Sequence, residues 1–160
     1  MTPAAFSRAG GLRPDLSREV CSGVWRSDEL TYLWVGLGGA LGSIGRYWLA
    51  MAVAMVTGPT FPWGTILINI VGSFIIAFFG TLTGPGGVVP APTDARAFVM
   101  VGICGGFTTF SSFSLQTLDL AREGRWLPAL ANIAMSVVLC LAAVTAGFVA
   151  ATWINGAKQA

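Results

Sequence analysis

The sequence predicts an all-α integral membrane protein with four transmembrane helices. Of its 160 residues, 54% are hydrophobic and only 10% are charged, whereas soluble domains usually carry about 25% charged residues. The charges are also segregated: Arg46 is the only formal charge between Glu29 and Asp94, and residues 127–157 contain none. Such a chain cannot cover its surface with polar groups in water.

Four uninterrupted apolar stretches supply the helices. Each is near the roughly 20 residues that a helix needs to cross a bilayer, and each runs continuously rather than alternating as a barrel strand would. The connections carry Gly and Pro, which are typical of turns. We therefore expect one membrane domain over residues 31–156, with spans at 32–56, 63–82, 98–118 and 127–154.

Residues 1–30 differ in kind from the rest of the chain. Their arginines are scattered among Ser, Gly and Pro, and they contain no apolar run of the length that a secretory signal peptide needs. We interpret this segment as a flexible cytoplasmic tail, which carries Arg8, Arg13, Arg18 and Arg26.

Several function classes are disfavoured by what the sequence lacks. There is no histidine, and every Asp and Glu lies outside the apolar runs, so neither an intramembrane catalytic site nor a zinc site is expected. A net charge of +2 gives no sign of nucleic-acid binding. The odd number of cysteines implies no disulfide framework; they are Cys21, Cys104 and Cys140.

Asn69 is the first unusual polar residue in a span. It follows Thr65 and precedes Ser73 at four-residue spacing, which places all three on one helix face. A carboxamide in hydrocarbon is costly unless it faces protein or water. Asn69 therefore either forms an interhelical hydrogen bond or lines a pore as a donor, and its position alone does not decide which.

The fourth span repeats this spacing with Asn132, Ser136 and Cys140. Each step of four residues drifts by only ~40° on a helix, so the three share a narrow stripe. An amide and a hydroxyl can offer N–H or O–H to an anion without a competing negative charge. The alternative is helix packing through small and polar residues.

The third span has the least ordinary sequence, with two adjacent glycines followed by Thr108 and Thr109. This sequence disfavours a straight helix, and a break would leave backbone carbonyls without their helical hydrogen bonds. At membrane depth such carbonyls need a partner, for which a small cation is one candidate. The alternative is a continuous helix whose glycines allow close packing.

Aromatic rings accompany the hydroxyl groups of this span. Phe107, Phe110 and Phe113 recur every third residue, and the positive edges of their rings can stabilise a dehydrated anion. Such a stripe more often faces lipid or core. The neighbouring serines favour a pore, because they would be out of place against lipid; they are Ser111, Ser112 and Ser114.

Arg46 is the single charge within the first span. It either extends to the membrane interface or gives a pore vestibule a positive potential.

These pieces together resemble the CrcB/Fluc family of fluoride channels. The resemblance runs from about Leu33 to Trp153 and is carried by three motifs, which are Gly39-Ala-Leu-Gly-Ser-Ile-Gly-Arg-Tyr47, Pro62-Trp-Gly-Thr-Ile-Leu-Ile-Asn-Ile-Val-Gly-Ser73 and Gly105-Gly-Phe-Thr-Thr-Phe-Ser-Ser-Phe-Ser114. The third motif is long and unusual.

The resemblance implies an antiparallel homodimer of four-helix subunits in a bacterial inner membrane, with two fluoride pores. It further implies a broken third helix and a sodium ion at the dimer centre, held by backbone carbonyls of Gly105 and Thr108. The pore residues it implies are Asn69, Phe110, Phe113, Asn132, Ser136 and Cys140.

Three positions depart from the family pattern. Gln116 stands where a glutamate is often found, Cys140 where a serine is found, and Asn132 where some members have tyrosine. The missing carboxylate at Gln116 puts a proton-linked role there in doubt, while the fold and the ion class are unaffected.

The distribution of basic residues predicts dual topology. Close to the span ends there are three Lys or Arg residues on the N-terminal side and two on the other side, a near balance under the positive-inside rule. The whole tail adds a bias towards a cytoplasmic N-terminus. The residues near the span ends are Arg26, Arg96 and Lys158 against Arg122 and Arg125.

Two alternatives to a passive fluoride channel remain. A small multidrug antiporter can share the four-helix dimer, but its proton coupling needs a membrane-embedded carboxylate, which these spans lack. A structural membrane subunit is the other.

Overall fold

The computed structural model describes residues 29–159, and this part of the chain is helical. Helix α1 spans Glu29–Thr57 and α2 spans Trp63–Thr83. Helix α3, residues 93–107, joins Thr93–Arg96, a π-helical segment Ala97–Cys104 and a short turn Gly105–Phe107. Helix α4 spans Phe110–Arg122 and α5 spans Trp126–Gln159. Residues 1–28 of the predicted tail lie outside the described residues, whereas Glu29 and Leu30 already belong to α1.

Four helical stretches are long and apolar enough to cross a membrane, and α3 and α4 together form the third. The predicted spans match them within a few residues at most ends. The largest differences are five residues each: α5 ends at Gln159 instead of residue 154, and α3 begins at Thr93 instead of residue 98. Polar residues form that first turn, so counting apolar residues does not detect it.

The helix ends follow ordinary capping chemistry. Gly58, which follows α1, has φ 74°, and Gly124, which follows α4, has φ 75°. After α4, the N–H of Gly124 bonds to the carbonyl of Ala121 and the N–H of Arg125 to that of Leu120. This is the Schellman arrangement, in which a glycine with positive φ ends the helix.

The helices pack as two close pairs, α1 with α3 and α2 with α5. Glycines make the first pair close: a Cβ on Gly42 would overlap the carbonyl oxygen of Ile103, and one on Gly106 would lie 2.5 Å from that of Gly39. In the second pair, a Cβ on Gly147 would overlap the carbonyl oxygen of Phe74. Backbone contact of this kind is typical of membrane helices.

Polar contacts tie the loops together at the end of the bundle that holds both the start of α1 and the end of α5. Arg96 Nη1 donates to the carbonyl of Gly80 at 3.2 Å and to Thr83 Oγ1 at 2.6 Å, which caps the end of α2. Asn155 Oδ1 accepts from the N–H of Val88 at 3.0 Å. These contacts fix the helix ends and leave the middle of the bundle to the site.

Candidate functional site

The third membrane stretch is interrupted between Phe107 and Phe110, as the sequence predicts. Thr108 has φ −75° and ψ 156°, and Thr109 has φ −152° and ψ 108°, so both are extended. Thr109 then caps α4, because its hydroxyl oxygen accepts from the N–H of Ser112 at 3.2 Å. The chain therefore leaves one helix and enters the next over two residues.

Asn69 holds this break from α2. Its Oδ1 accepts from the N–H of Thr109 at 2.8 Å, and its Nδ2 donates to the carbonyl of Thr109 at 3.1 Å. Both polar groups of one extended residue are thus satisfied by one side chain, in a place where Thr109 is only 8% exposed. The structure therefore contains the interhelical hydrogen bond, which is one of the two interpretations of Asn69. The other interpretation, a donor that lines a pore, is compatible with this bond, because Nδ2 carries a second proton.

The interruption leaves the carbonyl oxygen of the extended residue Thr108 without a hydrogen-bond donor from residues 29–159. The carbonyl of Cys104 accepts from both the N–H and the hydroxyl of Thr108, at 2.9 and 2.8 Å. No such bond reaches the carbonyl of Thr108. A Cβ on Gly105 would also meet no atom within 4 Å, so this side of the break is open.

A cavity of about 450 Å³ lies beside the break and collects most of the predicted site. No charged side chain of the described residues lines it. Among the predicted residues, its walls hold Asn69, Gly105, Thr108, Phe110, Phe113, Ser136 and Cys140. They also hold residues that the sequence did not single out for a site, namely Gly72, Ser73, Ile76, Met100, Val137 and Leu141.

Two of the three predicted aromatic rings lie at this cavity. The Phe110 and Phe113 ring centroids are 5.3 Å apart with planes inclined by 50°. Phe113 is 8% exposed and Phe110 78% exposed, so one ring is fixed in the wall and the other is uncovered. Phe107 instead packs between α1 and α2, within 3.7 Å of the Cβ position of Gly45 and 3.4 Å of that of Gly72.

The polar stripe of α5 is divided between the cavity and the protein interior. Ser136 and Cys140 line the cavity, whereas Asn132 is fully buried and donates from Nδ2 to Thr117 Oγ1 at 2.7 Å. Sequence reasoning missed Thr117. Its position four residues after Phe113, on the same face of α4, is the signal that could have identified it.

Arg46 and Gln116 lie away from the cavity walls. Arg46 is half-buried and forms no hydrogen bond or ion pair with another described residue. The side-chain oxygen of Gln116 is buried without a hydrogen-bond partner in the described part of the chain.

Comparisons with known proteins agree with the resemblance. Residues 33–148 match the family model described as "CrcB-like protein, Camphor Resistance (CrcB)". A protein of Rhodospirillum rubrum named fluoride-specific ion channel FluC is 60% identical over 126 residues, covering 79% of this chain and 98% of the relative. A protein of the same name from Methylocella silvestris is 56% identical over 131 residues, covering 82% and 100%. A third, from Opitutus terrae, is 57% identical over 127 residues, covering 79% and 96%. The chain therefore belongs to the CrcB-like protein family.

Proposed function

We propose that this protein is a fluoride channel that lets cytoplasmic fluoride leave a bacterial cell passively, through the inner membrane. The observation that carries the proposal is the cavity beside the break, which combines neutral donors and aromatic rings with no charged side chain among the described residues. Hydroxyl and amide groups can replace the water around a small anion, and ring edges add positive potential. With no cationic side chain among the described residues of its wall, the cavity lacks a group that would pair tightly with a halide.

The proposed channel is a homodimer, because one chain leaves the cavity incomplete. Phe110 lines the cavity but is 78% exposed, and no atom of the described residues lies within 4 Å of where a Cβ on Gly105 would stand. A second copy would cover both. In that arrangement Asn69, Phe110, Phe113, Ser136 and Cys140 border the anion path, Asn132 supports it from behind, and Arg46 contributes positive potential near its entrance.

We expect fluoride efflux from liposomes that contain the purified protein, with chloride retained. Rates are measured with fluoride- and chloride-selective electrodes after the membrane potential is released by a potassium ionophore, and protein-free liposomes give the background. Fluoride release at the background rate contradicts the proposed function, while equal chloride release contradicts its selectivity.

The two copies are proposed to be antiparallel, since basic residues near the span ends are almost balanced between the two sides. We expect a single cysteine placed before α1, in a variant without the native cysteines, to be labelled from both sides of the cell membrane. Cells carrying a variant with several added lysines at that terminus serve as a control with biased labelling. A functional homodimer labelled from one side alone would exclude the antiparallel arrangement.

A sodium ion is proposed at the centre of the dimer, held by the carbonyl oxygens of Gly105 and Thr108 of each copy. The Thr108 oxygen lacks a donor within residues 29–159, the side of the break at Gly105 is open, and hard oxygen ligands suit such a cation. The ion would supply positive charge that compensates the four converging carbonyls. The protein's own part is to keep these oxygens aligned through the bonds of Asn69 and Cys104 to the break.

Equilibrium dialysis of the purified dimer against radioactive sodium is expected to find one bound ion per two chains. Thr108→Val should retain it, because the ligand is a backbone oxygen and the Thr108 N–H still bonds to the carbonyl of Cys104. Sodium retention no greater than in protein-free detergent would refute the site.

A further inference from the structure

A hydrogen-bond chain runs from α4 to α5 behind the cavity wall. The Thr117 hydroxyl donates to the carbonyl of Phe113 at 2.7 Å, and Asn132 Nδ2 donates to Thr117 Oγ1 at 2.7 Å. Ser136 Oγ donates to Asn132 Oδ1 at 3.5 Å. The chain therefore links the backbone of the buried ring Phe113 to a hydroxyl that lines the cavity.

Thr117 sets the direction of this chain. A carbonyl oxygen only accepts, so the single hydroxyl proton of Thr117 is committed to Phe113. The Thr117 oxygen must then act as acceptor, which obliges Asn132 to turn its NH₂ group towards it. Consequently Asn132 presents its carbonyl oxygen to Ser136, and Ser136 can satisfy that oxygen only by donating its proton.

The bonds of this chain differ in strength. Two of them are 2.7 Å long, but the bond from Ser136 to Asn132 is 3.5 Å, at the limit of a hydrogen bond. Asn132 is fully buried, whereas Ser136 lines the cavity. At rest the Ser136 proton thus lies towards the protein, on a weak bond that an anion in the cavity can replace.

We propose that Thr117 is a positioning residue that tunes how firmly Ser136 binds an anion. By fixing the Asn132 amide, Thr117 makes the anion compete for the Ser136 proton. Binding at this step is therefore weaker and release faster than at a free hydroxyl. That the anion is fluoride rests on the proposed function.

Thr117→Val is the decisive variant, because valine has nearly the same shape and no hydroxyl. The buried NH₂ group of Asn132 then lacks an acceptor. Turning the amide exchanges the bond from Ser136 for one from NH₂ to Ser136 Oγ, which keeps the number of amide bonds and frees the Ser136 proton for a further one. The Ser136 proton becomes free to face the cavity. We expect the half-saturating fluoride concentration of liposome flux to fall about fivefold, the size of one ordinary hydrogen bond, and the maximal flux to fall as well.

Two controls separate this role from a merely structural one. Thr117→Ser keeps the hydroxyl and should keep the wild-type half-saturating concentration. In a Ser136→Ala background, Thr117→Val should no longer change that concentration, because the proton it acts on is absent. The proposal is overturned if Thr117→Val has the wild-type half-saturating concentration. It is also overturned if Thr117→Val causes the same fivefold shift in the Ser136→Ala background.

A spectroscopic measurement tests the positioning without transport. Asn69, Asn132 and Asn155 are the only asparagines of the chain, so asparagine labelled with ¹⁵N gives a small, assignable set of side-chain NH₂ signals. Thr117→Val should move the Asn132 pair by far more than the other two. If the NH₂ signals of Asn132 do not move, Thr117 does not position the amide, even in a protein that transports fluoride. If they move in a protein that transports no fluoride, the proposed function is refuted and the positioning is not.

Discussion

Replacement of Asn69 by leucine is expected to abolish fluoride flux. Leucine has a similar volume, but it leaves the N–H and the carbonyl of Thr109 without the partners that now lie 2.8 and 3.1 Å away. Each buried group left unsatisfied costs about 1–3 kcal/mol, so the extended geometry of the break is no longer favoured. We expect flux to fall by about a hundredfold or more, together with a lower melting temperature of the purified protein.

Asn155→Leu is the matched control. Asn155 also bonds to two backbone groups, the N–H of Val88 at 3.0 Å and the carbonyl of Thr81 at 3.4 Å, but it lies at the end of the bundle. This variant should lower the melting temperature while flux stays near wild type. If both variants lose flux equally, Asn69→Leu acts by general destabilisation. Wild-type flux in Asn69→Leu would show that the two hydrogen bonds from Asn69 to Thr109 are dispensable.

Phe110→Ile and Phe113→Ile are each expected to reduce fluoride flux about tenfold or more. Isoleucine keeps the apolar bulk but removes the positive ring edge that stabilises the dehydrated anion. Phe113→Ile should also lower stability, because Phe113 is buried and Phe110 is not. Liposome flux and a cross-linking assay of the dimer measure the two effects separately.

Phe148→Ile controls for the loss of any aromatic ring. Phe148 is 52% exposed on α5 and does not line the cavity. The fluoride flux of Phe148→Ile should therefore equal that of the wild type. If Phe110→Ile and Phe113→Ile both form intact dimers and conduct as the wild type does, these rings have a packing role only.

The helices were predictable because apolar runs report directly on membrane spans. The polar start of α3 was not, since it depends on contacts between distant parts of the chain: Thr31 donates to Asp94 at 2.6 Å, and Arg96 reaches the end of α2. Residues that look like a loop in the sequence become helical when neighbouring helix ends supply their partners.

The sequence predicted the interruption and placed it among Gly105, Gly106, Thr108 and Thr109, but it did not show which of these residues leave the helix. Gly105 is helical, with φ −64° and ψ −39°, and the extended residues are Thr108 and Thr109. Gly106 is used instead for close contact with Gly39. The position of the break depends on Asn69, forty residues earlier, and no local pattern contains that information.

The four-residue spacing on α5 correctly grouped its polar residues on one stripe but not their depth. Ser136 and Cys140 line the cavity, while Asn132 is covered by α4 through Thr117. Periodicity gives the face of a helix, and only the packing of the neighbouring helix decides which part of that face is open.

In the π-helical segment Ala97–Cys104, the number of residues affects the structure as well as their types. Its hydrogen bonds span five residues instead of four, which amounts to one extra residue stored within the coil. A single-residue deletion there would let the helix relax to the α form with its hydrogen bonds intact. Each residue turns the chain by less in the wider π form than the ~100° of an α-helix, so loss of the stored residue would leave Gly105 and Thr108 close to their present direction. A deletion within the regular helix α2 would instead rotate everything beyond it by ~100°. Among natural variants of this chain, loss of one of these eight residues should therefore be tolerated more often than loss of one residue within α2.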